Sequence, residues 1–314
     1  MKKIFIPFIV FFALSTGTAY PYWIWTPKTG KWVNPRDGVK SSPKEQFNEA
    51  KALFDAGKYD DAKREFRKIL KAYPKSTEAA ESQFFLGQVE EKLGNPFEAY
   101  KAYQVVVEKY PFSERIGQIN EREFAIGEEF MNGAKRKALG MSLPVENPAI
   151  EIFGKIVDNA PYGPLAAKAQ YRLGLVLKGL SRLNEAEDAF GKVVSNYPES
   201  EWVKPAKFQL AETKAALSKG SDYDQGATKE AKEKFEDFVK SNPDAALSRE
   251  AEKNIGRLKD KEAESDFNAA RFYEKQKQSD PARLYYEGIM KDVPDSIWAA
   301  RAAERLRIMD GKKK

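Results

Sequence analysis

The sequence predicts an all-α fold built from about five to six stacked helical hairpins, and three observations predict it. Proline recurs after helical runs, at Pro74, Pro111, Pro161, Pro198, Pro243 and Pro294. A fixed stripe of small, aromatic and aliphatic residues precedes each of these prolines. A second small residue recurs in the helical run upstream of each stripe. Internal periodicity of this kind governs the fold and takes precedence over local propensity.

Taken in order, the chain opens on a segment that reads as an export signal. Lys2 and Lys3 are followed by the apolar run Ile4 to Leu14, and Gly17 and Ala19 supply small residues before a cut ahead of Tyr20. Eleven apolar residues interrupted by Pro7 fall short of the roughly 20 needed to span a bilayer. Residues 1–19 are therefore expected to be removed. Residues 20–42 form a Trp-rich segment, YPYWIWTPKTGKWVNP at its start, with Trp23, Trp25 and Trp32 close together. PKTG is a turn sequence, and a hairpin folded around it sets Trp25 opposite Trp32 as a cross-strand pair.

Residues 43–309 hold the repeats. Twelve positions before each proline lies Ala62, Ala99, Ala149, Ala186, Ala231 or Ala282. Eight before it lies Phe66, Tyr103, Phe153, Phe190, Phe235 or Tyr286, and five before it Ile69, Val106, Ile156, Val193, Phe238 or Ile289. Positions three and four apart share one helix face, and a small residue at the head of the stripe lets a neighbouring helix come close. Proline ends the helix because it has no N–H to donate. The upstream helices carry Ala50, Gly87, Gly127, Gly174, Ala211 and Ala270. Ser76, Ser113, Ser200 and Ser296 follow the prolines as helix caps, with Glu78, Glu114 and Glu201 near the positive helix ends.

This is the tetratricopeptide-repeat pattern, an α-solenoid whose stacked pairs bury a continuous core and curve around a concave face. Extra residues interrupt two units, NGAKRKALGMSLPVEN in the third and KGSDYDQGAT in the fifth, and a charged connecting stretch precedes the last. Residues 310–314 are expected to form a basic tail.

The chemistry available is narrow. With no Cys and no His, thiol nucleophiles, Ser-His pairs and Cys/His zinc sites are excluded. No GxxxxGK[ST], no GxGxxG and no S-x-x-K with its companion motifs is present. No catalytic, cofactor or metal site is expected. Setting aside Lys2, Lys3 and Lys312 to Lys314 from the 53 basic residues leaves 48 against 47 acidic, so no concentrated basic face points to nucleic acid. Such a scaffold binds proteins.

Three stretches carry a resemblance to a known family: EQFNEAKALFDAGKYDDAKREFRKILKAYPKS, NGAKRKALGMSLPVENPAIEIFGKIVDNAPYGPLAAKAQYRLGLVL and AARFYEKQKQSDPARLYYEGIMKDVPDS. They resemble the BamD-type (YfiO-like) outer-membrane assembly factors, the middle block most specifically, in order and position. The resemblance implies a periplasmic scaffold at the inner face of the outer membrane. It would dock on the barrel-insertion machine and help receive nascent β-barrel proteins. Members are normally lipoproteins with five units; this chain has no cysteine, so no lipid anchor through that residue is expected, and six units are counted. The YPxS punctuation is also similar to Tol-Pal-associated tetratricopeptide (YbgF/CpoB-like) scaffolds, which coordinate peptidoglycan synthesis with envelope constriction. Those usually follow a coiled coil, and no sustained heptad precedes residue 43. A glycan-binding or enzymatic module built on the tryptophans lacks a catalytic constellation.

Three sets of residues are candidate contacts. Phe47, Phe84, Phe124, Tyr171, Phe208 and Phe267 lie three residues before the small residue of each first helix and could line the groove as a ladder for an aromatic-rich peptide. The same spacing serves inter-helix packing, which is the favoured reading. Trp23, Trp25 and Trp32 are candidates for a partner or membrane contact. Lys135, Arg136 and Lys137 form a basic cluster suited to an acidic partner surface, or a solvated loop.

Overall fold

The computed structural model describes residues 24–26, 30–33, 38–138, 141–142, 146–218, 220–221, 225–243 and 246–311. The expected signal, Trp23 and the last three lysines lie outside them. The described residues form an all-α fold of thirteen helices with two very short β-hairpins, one helix more than six hairpins require. The chain divides into two compact units, Met1–Leu93 and Gly94–Lys314.

The first unit holds β1 (Ile24–Thr26), β2 (Lys31–Val33), α1 (Pro43–Asp55), α2 (Tyr59–Ala72) and α3 (Thr77–Lys92). Helix α1 begins where sequence chemistry directs: Ser42 accepts a hydrogen bond from the Glu45 backbone N–H, and Pro43 takes the first helical position. Gly57 makes the turn to α2 at φ +73°, a left-handed conformation that glycine reaches without steric cost. Both α1 and α2 pack on α3.

The second unit holds α4 (Pro96–Lys109), α5 (Ile116–Met131), β3 (Lys137–Ala138), β4 (Met141–Ser142), α6 (Pro148–Asn159), α7 (Ala166–Gly179), α8 (Leu183–Asn196), α9 (Val203–Leu217), α10 (Gly226–Ser241), α11 (Ala246–Lys275), α12 (Ser279–Asp292) and α13 (Ile297–Gly311). Each helix packs on the next in sequence. The insertion in the third unit folds into the β3–β4 hairpin, with Ala138 paired to Met141.

The repeat residues are the core. Ala62, Ala99, Ala149, Ala186, Ala231 and Ala282 are fully buried, as are the aromatic and aliphatic residues that follow each of them. The helices α2, α4, α6, α8, α10 and α12 all end two residues before their proline. The residue between, from Tyr73 to Val293, has φ between −130° and −142°. Steric conflict with the proline ring drives that residue out of the helical region, so helix termination is local.

Three expectations need correction. The charged stretch before the last unit is helical, and α11 runs unbroken for 30 residues. Its first half adds Ala251 and Leu258 to a core with Phe208, Phe235 and Phe238, and its second half adds Ala263, Phe267 and Ala270 to a core with Tyr286 and Ile289. Among the serines, Ser296 caps α13 through the Ala299 N–H, while Ser113 and Ser200 accept from residues two ahead, within their turns. Ser76 Oγ is buried without a hydrogen-bond partner, and Glu114 and Glu201 fall before α5 and α9 begin. The helical region extends through Gly311, two residues beyond 309.

Candidate interaction surfaces

The aromatic ladder lies in the hairpin cores. Phe84, Phe124, Tyr171, Phe208 and Phe267 are buried, and Phe47 is partly so. Within hairpins these rings meet the aromatic eight before the proline: Phe47 with Phe66, Phe124 with Phe153, Tyr171 with Phe190, Phe208 with Phe235 and Phe267 with Tyr286. Centroid separations of 5.4–5.8 Å are the range of tilted and edge-to-face aromatic pairs. The small residue of the first helix makes room for them. A Cβ at Gly127 would stand 2.7 Å from Phe153 Cε1, and one at Gly174 would stand 2.5 Å from Phe190 Cε1. These five pairs therefore close their hairpins, and the buried rings offer little surface to a peptide.

The tryptophan pair is disposed differently. Strands β1 and β2 are antiparallel with Trp25 directly opposite Trp32, and the rings meet edge to face at 5.8 Å. Trp25 is 47% exposed and Trp32 62%. Gly30, at φ +61°, supplies the left-handed turn residue. The chain that follows is fastened to the helices of the first unit, where Tyr73 Oη donates to the Lys40 carbonyl at 2.6 Å and Lys40 pairs with Glu49.

The basic cluster is split by its environment. Lys135 is exposed, whereas the Arg136 guanidinium lies over the Phe97 ring, 4.1 Å from its centroid, as a cation–π contact. Lys137 lies in β3.

Two exposed aromatics went unread in the sequence. Phe112 is 99% exposed and Tyr162 97%, and each directly follows the proline of its turn, α4–α5 and α6–α7. The corresponding residues elsewhere are Lys75, Glu199, Asp244 and Asp295, all charged. The signal was the exchange of charge for an aromatic at a turn position that cannot be buried.

Two polar features sit inside the second unit. Glu123 of α5 is fully buried and accepts from Gln104 Nε2 at 2.9 and 3.0 Å, while Asn159 Nδ2 donates to Gln104 Oε1 at 3.2 Å. Burial pushes the Glu123 carboxyl up to about 8, against the smaller downward pull of the Gln104 amide. Further along, a cleft of about 520 Å³ opens among α10, α11 and α12, with Lys229, Lys232 and Lys259 facing Glu262, Asp266 and Asp292. Burial, then the Glu262 carboxylate, raises the Asp266 carboxyl. Among the described residues no helix is long and apolar enough to cross a membrane.

Set against known proteins, residues 148–313 match the family described as YfiO, outer membrane lipoprotein, and residues 47–114 match a tetratricopeptide-repeat family. Among solved structures, the C-terminal part of a TPR repeat-containing protein from Cytophaga hutchinsonii is 19% identical. That match covers 83% of this chain and 87% of the other, with a TM-score of 0.38. A thermophilic TPR protein from Thermus thermophilus is 17% identical over 68% of this chain and 99% of its own, with a TM-score of 0.33. A tetratricopeptide repeat protein from Parabacteroides merdae is 13% identical over 84% and 98%, with a TM-score of 0.35. Superpositions this loose have no bearing on the surfaces described above. No curated protein matches the chain.

Proposed function

The chain belongs to the YfiO family, and from that membership we propose that it is a non-catalytic periplasmic scaffold at the inner face of the outer membrane. It docks on the barrel-insertion machine and helps deliver nascent β-barrel proteins. The observation that carries this reading is the family match over residues 148–313, which spans the second helix of the third proline-punctuated repeat and the three repeats after it. Tetratricopeptide hairpins support it, because stacked helix pairs present extended surfaces for protein partners. The exposed rings of Phe112 and Tyr162 supply aromatic contact residues of the type enriched at protein interfaces.

The test is site-specific cross-linking in the native envelope, with a photoreactive side chain at position 112 or 162 and the adducts identified by mass spectrometry. Adducts to barrel-insertion subunits or unfolded barrel clients are the expected result. Adducts confined to Tol-Pal or peptidoglycan-synthesis proteins, or no adducts from either position, overturn the reading.

A further inference from the structure

We propose that the Trp25–Trp32 pair is a lipid-headgroup contact that seats the N-terminal end of this chain on an anionic phospholipid surface. The first ground is exposure. Residues directly opposite in an antiparallel pair project from the same face, so both indoles leave one side of the β1–β2 ribbon, where they are 47% and 62% exposed. The tryptophans of the second unit behave otherwise. Trp202 is partly buried against Tyr171 at 5.1 Å, and Trp298 is partly buried against Phe267 at 5.5 Å.

The second ground is charge. From Tyr20 to Asp37 the sequence carries Lys28, Lys31 and Arg36 against a single acidic residue, Asp37, in a chain whose charges otherwise nearly balance. Aromatic rings settle at the headgroup level of a bilayer, and neighbouring cations meet lipid phosphates there. An apolar pocket on a protein would accept the rings without calling for a surplus of cations around them. The charge pattern therefore favours lipid over a protein pocket.

The third ground is stability. Two strands of three residues each form a ribbon that is marginal by itself in water, so a surface for the rings stabilises the hairpin that presents them. The family is described as outer membrane lipoproteins, yet none of the 314 residues is cysteine, so acylation of a thiol is chemically unavailable within this sequence. The indole pair provides a reversible contact of its own, independent of which protein partner the helices hold.

The experiment is vesicle co-flotation of the protein as cells process it, using phosphatidylethanolamine–phosphatidylglycerol vesicles and neutral phosphatidylcholine vesicles. The parent is compared with a Trp25→Ala/Trp32→Ala double variant and with Trp202→Phe. The double change lies outside every helix, and circular dichroism checks that helix content is unaltered. The expected result is binding to the anionic vesicles that weakens about tenfold or more in the double variant, persists in Trp202→Phe and falls as salt rises. Quenching of tryptophan fluorescence by brominated lipid should accompany binding and be lost with the pair. No binding, equal binding by the double variant, or binding indifferent to lipid charge overturns the proposal.

Discussion

A buried acid held by an amide makes folding sensitive to pH, and Glu123 is that acid. Its carboxyl is fully buried on α5 and accepts from the Gln104 amide, and Tyr100 and Glu151 lie nearby as a hydrogen-bonded pair at 3.1 Å. Folding raises its pKa from 4.5 to about 8. Below pH 4.5 both states hold the proton and the group is neutral to stability. Between the two values the unfolded chain releases the proton while the folded chain keeps it, so stability falls by about 1.4 kcal/mol per pH unit as pH rises. Above pH 8 the loss is complete. Glu123→Gln removes the titration while retaining an acceptor for Gln104. The stability gap between variant and parent should therefore widen by about 4 kcal/mol from pH 5 to pH 8. Urea unfolding at pH 5, 6, 7 and 8, followed by far-UV circular dichroism, measures the gap directly. Taking the difference cancels other raised carboxyls such as Asp266, which tilt both proteins alike. A gap constant to within about 0.5 kcal/mol would refute the reasoning, since it would mean that the carboxyl titrates alike in both states.

Other consequences follow from the packing. Gly174→Ala drives a Cβ into the buried Phe190 ring and should lower stability by about 1–3 kcal/mol, outweighing the better helix propensity of alanine. Gly191→Ala, one residue past that ring on α8 with nothing within 4 Å, should instead raise stability by about 0.5–1 kcal/mol in the same urea titration. Glu274 of α11 accepts from Tyr286 of α12 and pairs with Arg305 of α13. Glu274→Ala should cost about 1–3 kcal/mol, and adding Arg305→Ala should cost less than the sum of the separate changes. Gly57→Ala meets no atom but must hold φ +73°, so calorimetry should show a loss of about 1 kcal/mol.

What could be read from the sequence was whatever a single helix decides for itself. The stop at each proline and the stripe of Ala, aromatic and aliphatic residues depend on neighbours within twelve positions, and the structure places them as the spacing requires. The charged stretch before the last unit was harder. Helix α11 serves two cores in succession, so its buried Ala251, Leu258 and Ala263 belong to different partners and do not repeat as one stripe. Buried Glu123 gave no signal either, because a glutamate on a helix is ordinarily solvated and only the third dimension brings Gln104 to it.

The repeats also act as controls for one another. Where all six copies agree, as at the small residue and the aromatic that faces it, the shared feature is explained by closing a hairpin, and the ladder from Phe47 to Phe267 falls in this class. Where one or two copies depart at a position packing does not reach, closure explains nothing. Phe112 and Tyr162 depart at the residue after proline, and Leu284, 72% exposed, departs at a position ten before proline that carries Arg64, Lys101, Glu151, Asp188 and Glu233 in the other copies. An exposed apolar side chain in place of a charged one brings no folding benefit and adds association risk. Hairpin closure thus accounts for the ladder and leaves Phe112, Tyr162 and Leu284 outside what packing explains.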